Sequence, residues 1–261
     1  MNKARVGAVV WRHLYNFKHS WDRLSDAFYW PAVDIFIWGL MSVYIRQATV
    51  NIPNIVLLLM SGLVFWMVVW RGQYEITVNL LEEMWNHNLV NLFSTPLTVY
   101  EWMVGVVMLG FFKMIMSVRF AALLIFSFYA VNLFNFGWLL LPFFVLLLMF
   151  GWTVGFVVAG LIVRFGMRIQ TLAWTGLYVL APFSAIYYPV SSLPAWAQKV
   201  SAWVPTSYVF EGMREAIFSG RLDQGLLVKS AGLNGLYFGL SLWFFVRMFN
   251  VSRKRGLTSV E

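Results

Sequence analysis

Residues 187–220 read YYPVSSLPAWAQKVSAWVPTSYVFEGMREAIFSG. A long apolar run precedes this stretch and another follows it, so it sits at a membrane boundary. It carries Pro189, Pro194 and Pro205, the charges Lys199, Glu211, Arg214 and Glu215, and two helical patterns. A plain loop has no use for so many apolar residues. A plain spanning helix cannot hold so many prolines, because each removes a backbone donor that the hydrocarbon cannot replace. The expected structure is a pair of short helices, broken and re-entrant, dipping into one face of the bilayer before the last span. That arrangement suits a transport path better than an anchor.

The composition sets the class. Hydrophobic residues make up 61% and charged residues 11% of the chain, and the mean hydropathy is +0.72. Soluble domains are nearer half apolar and a quarter charged. At 261 residues there is room for six spans of about 20 residues each. The basic residues Lys3, Arg5, Arg12 and Lys18 are followed by no uninterrupted apolar core, so a cleaved signal peptide is not expected. There is no cysteine, which removes disulfides and thiolate metal sites.

Six apolar runs fall at 28–45, 54–70, 102–129, 138–163, 171–188 and 231–249. Tryptophan and tyrosine gather near their ends, where amphipathic rings favour the headgroup level. With the amino terminus inside, twelve Lys and Arg lie on the cytoplasmic side and five outside, with Lys113 and Arg119 inside the third run. The expectation is a multi-pass membrane protein with both termini cytoplasmic. The net charge of +8 is then mostly this asymmetry, and dispersed charges of this kind do not form a nucleic-acid face.

Before the first span, Val10, Leu14, Phe17, Trp21, Leu24 and Phe28 recur at spacings of three and four. This predicts an amphipathic interfacial helix over 1–27, either a surface anchor or an elbow bracing the core. The longest cytoplasmic connection, 72–100, carries an apolar stripe of Leu80, Leu81, Met84, Leu89 and Phe93 beside Glu75, Glu82 and Glu83. Pro96 stops the helix, since the residue before proline avoids the helical region. An acidic amphipathic helix here suits docking of a soluble protein, with a solvated loop as the alternative.

Three ordered motifs carry a family resemblance. LFSTPLTVYEWMVG (92–105) follows the Glu-rich helix, YPVSSLPAW (188–196) lies at the outer boundary, and VPTSYVFEGMREAI (204–217) comes next. Together they resemble the permease subunit of ABC-2 type exporters, over essentially the whole chain. The resemblance implies an all-α membrane domain, 1–261, with six spans, an interfacial helix, a coupling segment and a re-entrant extracellular hairpin at 188–220. It implies half of a translocation path for a drug, lipid or lipid-linked glycan. The expected partners are a second permease chain, as a homodimer, and two cytoplasmic ABC ATPase subunits. ATP and Mg2+ are expected in that partner ATPase, and the chain itself is not expected to be an enzyme. No Gly-Lys dipeptide occurs, so the chain has no GxxxxGK[ST] phosphate loop of its own. By the resemblance, Glu82, Glu83, Trp85 and His87 lie where the ATPase couples, and Pro189, Pro194, Pro205 and Arg214 belong to the extracellular gate.

Lys113, Arg119 and Asp34 fall inside apolar runs, where charges face protein or water. They are candidates for a substrate path, with the two cations favouring an anionic cargo. The alternative is structural: Asp34 pairs with Lys113 or Arg71, and Arg119 snorkels outward or meets Glu211 or Glu215. Gly151, Gly155 and Ala159 form a small-residue row in the fourth run, and Gly235 and Gly239 another in the sixth. Such rows bring helices close, within one subunit or between two. The aromatic residues are read as belts and packing, with sugar stacking as a second use. The three histidines show no metal spacing. A competing class is a stand-alone secondary carrier or assembly scaffold, although no internal repeat is present.

Overall fold

A computed structural model describes residues 1–48 and 54–256. Helices account for the ordered structure, and no strand occurs among the described residues. Helix α1 (Lys3–His19) ends at Ser20, whose backbone is extended. Helix α2 (Trp21–Ala48) then starts, with a π-helical turn at Ser25–Tyr29. Helices α3 (Ile55–Trp85), α4 (Leu89–Ser94), α5 (Val99–Tyr129) and α6 (Leu140–Phe165) follow. After a series of short turns come α7 (Ala195–Ser201), α8 (Pro205–Ser219) and α9 (Gln224–Arg255).

Among the described residues, four helices are long and apolar enough to cross a membrane: Trp21–Ala48, Ile55–Trp85, Val99–Tyr129, and Leu133–Ile169, which includes α6. The chain is therefore an all-helical protein of multi-pass membrane character. The most apolar stretch of α3 is 83% buried and that of α2 only 22%, so α3 forms the middle of the bundle and α2 its edge. Helix α9 is long enough to span but is not apolar enough to join the four: it carries Lys229 and Arg247 as well as Ser230, Asn234 and Ser241, the last three on its buried face. The Ser230 hydroxyl donates to the Pro205 carbonyl at 2.9 Å and ties α9 to α8.

Helices α3 and α6 meet backbone to backbone. A Cβ at Gly151 would stand 2.4 Å from the Val69 carbonyl oxygen, and one at Gly155 3.1 Å from the Ile76 side chain. The first small-residue row thus packs within the subunit. Gly235 and Gly239 of the second row face open space.

Two expectations change. The fifth apolar run is not one α-helix. Residues 170–184 are held mainly by i→i+3 bonds, such as Trp174 N–H to Thr171 O (3.0 Å), Leu180 N–H to Leu177 O (3.0 Å) and Phe183 N–H to Leu180 O (3.1 Å). Gly176 has weak helix propensity and Pro182 lacks a donor, which accounts for the break. The predicted stripe over 1–27 also fails past Phe17. The kink at Ser20 resets the helical phase, so α1 buries Val6, Val9, Val10, His13 and Phe17 while Trp21 is 87% exposed.

Candidate functional site

The carboxy-terminal half of α3 presents polar residues at a spacing of nearly four: Arg71, Glu75, Asn79, then Glu82 and Glu83. This spacing puts them on one face of a helix. That face is covered by α1, α2 and α5 rather than by solvent, and each group finds a partner there. Lys113 of α5 donates to Glu75 Oε2 at 2.7 Å. Arg71 lies 3.4 Å from Glu75 Oε1, and Asn79 donates to Glu75 Oε2 at 3.2 Å. A second Arg71 nitrogen donates to the Asp26 carbonyl at 2.7 Å, and the Tyr74 hydroxyl donates to the Asp26 carboxylate. Arg23 pairs with Glu82, and Arg12 with Glu83 at 2.8 Å. Asn88 also donates to Glu83, at 2.6 Å. Four cations (Arg12, Arg23, Arg71, Lys113) thus meet three carboxylates (Glu75, Glu82, Glu83), and the Asp26 carboxylate accepts from Tyr74.

His13 is buried between the last two rungs, 3.7 Å from Glu82 and 3.8 Å from Glu83. Both carboxylates are already neutralised by guanidinium groups. Burial therefore dominates, and Arg23, Arg12 and Lys113 add repulsion against the attraction of Glu83, so its pKa falls to about 4. A folded value below the unfolded 6.5 means the unfolded chain binds more protons in that window. The stabilisation is complete above pH 6.5 and is lost as pH falls toward 4, on the order of 3 kcal/mol at about 1.4 kcal/mol per unit. In detergent, the unfolding midpoint should drop over this range, and His13→Gln should flatten that part of the profile.

The loop motif at 92–105 has a structural use. Thr98 and Glu101 form a reciprocal capping box at the start of α5. Glu101 also accepts the Asn2 N–H at 2.7 Å, and Arg5 donates to the Pro96 carbonyl at 2.6 Å. Gly105 gives α1 room, since a Cβ there would stand 2.7 Å from the Val9 side chain. The amino-terminal helix is thereby clamped to α5 at both its ends, by Glu101 and by Phe17, whose ring faces the Lys113 ammonium at 4.9 Å.

Of the residues expected at an ATPase contact, Glu82 and Glu83 turn inward to the ladder. Trp85 and His87 stay exposed at the end of α3. Trp85 donates to Gln170 at 3.0 Å and lies near-parallel to Trp174. Lys113 pairs with Glu75 and not with Asp34, because α5 turns it into the bundle. Arg71 is likewise committed to Glu75 and Asp26. Arg119 lies on a different, exposed face of α5, and neither Glu211 nor Glu215 reaches it: Glu211 pairs with Arg214, and Glu215 accepts the Asp223 N–H.

Asp34 lines a cavity of about 560 Å3 beside the ladder, walled by Trp30, Trp66, Trp70, Trp174 and Tyr178. Among the described residues it forms no ion pair.

In the 187–220 stretch, each proline begins a turn or helix: Pro189 precedes the turn Val190–Ser192, Pro194 precedes α7, and Pro205 opens α8. Arg214 is buried and donates to the Ala185 carbonyl at 2.7 Å. It also pairs with Glu211 at 3.0 Å, and Glu211 accepts the Val190 N–H at 2.6 Å. This clasp holds α8 to residues 185–190, where Ala185 sits at φ 55°, a conformation that L-residues seldom adopt. Arg214→Met should lower stability by about 2 kcal/mol, the scale of lost charge-assisted hydrogen bonds, read as a lower unfolding midpoint in detergent.

No family model and no curated protein matches this chain. Among the described residues no cluster of His, Cys, Asp or Glu could hold a metal ion.

The sequence shows Glu75 only as part of an acidic segment and Arg12 only as a basic residue near the amino terminus, and nothing in it joins them to Arg23 and His13 in a buried ladder. The near-four spacing of Arg71, Glu75 and Asn79 was the available signal.

Proposed function

We propose that this chain is the permease subunit of an ATP-driven ABC-2 type exporter, and that it works as a homodimer with two cytoplasmic ATPase subunits. The observation that carries the proposal is α3. It is one unbroken helix of 31 residues, about 46 Å long at 1.5 Å per residue. It runs from the apolar middle of the bundle to the exposed tip at Trp85, Asn86 and His87. A rigid rod of that kind can carry a push at its tip into the bundle. The ladder locks α1, α2 and α5 to the rod, so the four helices would move together. Glu82 and Glu83 then serve inside the rod's socket, while Trp85 and His87 belong to the ATPase contact.

The reading counts six spans. The four apolar helices supply four, and α9 supplies the last, its serines facing protein rather than lipid. Residues 170–184 supply the fifth as a tightened helix. At about 2 Å rise per residue their length approaches the 30 Å hydrocarbon core. Helices α7 and α8 form the re-entrant hairpin at the outer face, with Pro189, Pro194, Pro205 and Arg214 shaping the gate. The membrane is the bacterial inner membrane, with both termini cytoplasmic. Asp34 lies on the substrate path, whereas Lys113 serves the ladder.

Affinity purification of the tagged chain from native membranes, with mass spectrometry of what accompanies it, tests the reading. A near-stoichiometric soluble ATPase is expected, reduced by substitutions at Trp85 and His87. Its reproducible absence under gentle detergent conditions would favour a stand-alone carrier or scaffold.

A further inference from the structure

We infer that the cavity between α2, α3, α5 and residues 171–188 is a binding site for an organic cation, with Asp34 as the counter-ion. Calling that cation exported cargo rests on the permease reading, but the binding itself does not.

The four cations of the ladder beside the cavity are all engaged by Glu75, Glu82 and Glu83, and none of them pairs with Asp34. Asp34 lies at an exposed position on a helix apolar enough to span a membrane, and among the described residues it forms no ion pair. A carboxylate in such surroundings is costly until something positive stands beside it.

The walls fit the same ligand. Trp30, Trp66, Trp70, Trp174 and Tyr178 present aromatic surface to the cavity. Ring faces attract cations electrostatically, most strongly where water is excluded. A volume of about 560 Å3 falls in the range of pockets that hold small organic molecules.

Other ligand classes fit less well. An anion would need a free cation, but among the described residues the one cation lining the cavity, Arg71, is engaged by Glu75 and by the Asp26 carbonyl. A sugar would need several converging donors and acceptors. Here Tyr74 is committed to Asp26, and the Ser117 hydroxyl to the Ala27 carbonyl at 3.3 Å. One turn beyond Asp34, Trp38 stacks on Tyr187 with ring centroids 4.5 Å apart and bridges α2 to the end of the fifth run.

The test uses two ions of nearly equal size and opposite charge. The full-length chain in lipid nanodiscs is equilibrated with radiolabelled tetraphenylphosphonium or tetraphenylborate, with empty nanodiscs as the blank. Saturable binding of the cation at least tenfold tighter than of the anion is expected. Asp34→Asn should weaken cation binding at least tenfold while the unfolding midpoint holds, and Asp34→Glu should retain most of it. Trp174→Ala, at a half-exposed position, should weaken binding several-fold and supplies the test if Asp34→Asn does not fold. Equal binding of the two ions, tighter binding of the anion, or cation binding unaffected by Asp34→Asn or Trp174→Ala would overturn the inference. None of these outcomes depends on whether an ATPase accompanies the chain, so this inference and the exporter reading fail separately.

Discussion

Lys113→Met should destabilise the fold by about 3–5 kcal/mol, the cost of leaving a buried charge without its partner. Glu75 is almost wholly buried, and Lys113 is its closest cation at 2.7 Å. Arg71, at 3.4 Å and shared with the Asp26 carbonyl, cannot replace it. The methionine keeps the length of the side chain, so lost packing contributes little. Denaturant titration in mixed micelles reads the effect. The double variant Lys113→Met with Glu75→Gln should recover a large part of the loss, because the stranded charge is gone. If the single and double variants lose the same stability, the pair does not hold the ladder together. The path reading of Lys113 predicts a different pattern, with normal folding and altered transport.

Gly151→Leu should cost about 3 kcal/mol or more, at or beyond the upper end for overpacking. The nearest neighbours of its Cβ are the Val69 carbonyl, the Gly72 Cα and the Gln73 nitrogen, at 2.4, 3.1 and 3.2 Å. All three are backbone, so no side chain can swing away and α3 must separate from α6. Gly239→Leu is the matched control. Nothing lies within 4 Å of its Cβ, and the change should fall within about 0.5 kcal/mol. Equal losses at the two sites would mean that α3 and α6 do not pack as described.

How much the sequence revealed depended on whether a pattern was local. The apolar periods located α2, α3, α5 and α6 because a spanning helix must satisfy its backbone within itself. The prolines of 187–220 told against one spanning helix, and in the structure Pro194 precedes α7 and Pro205 opens α8. The fifth run misled because hydropathy counts apolar residues and takes no account of Gly176 or Pro182. The stripe of 1–27 misled because Ser20 shifts the helical phase, a change that spacing alone does not register. The ladder was the hardest part to read. Glu75 and Lys113 are 38 residues apart, and only the packing of α5 on α3 makes them partners. Glu82 and Glu83 resembled a docking face for the same reason: their cations, Arg23 and Arg12, come from α2 and α1.

If the tip of α3 engages an ATPase, the chain's lack of cysteine permits a direct test of that contact. Asn86→Cys places a single thiol at the exposed tip, and Ser219→Cys places one at the end of α8. A short thiol-reactive crosslinker is applied to native membranes and the adducts are identified by mass spectrometry. The account predicts an adduct between position 86 and a nucleotide-binding ATPase chain, and none from position 219. A position 86 thiol that labels readily with a soluble maleimide yet captures no ATPase would contradict it.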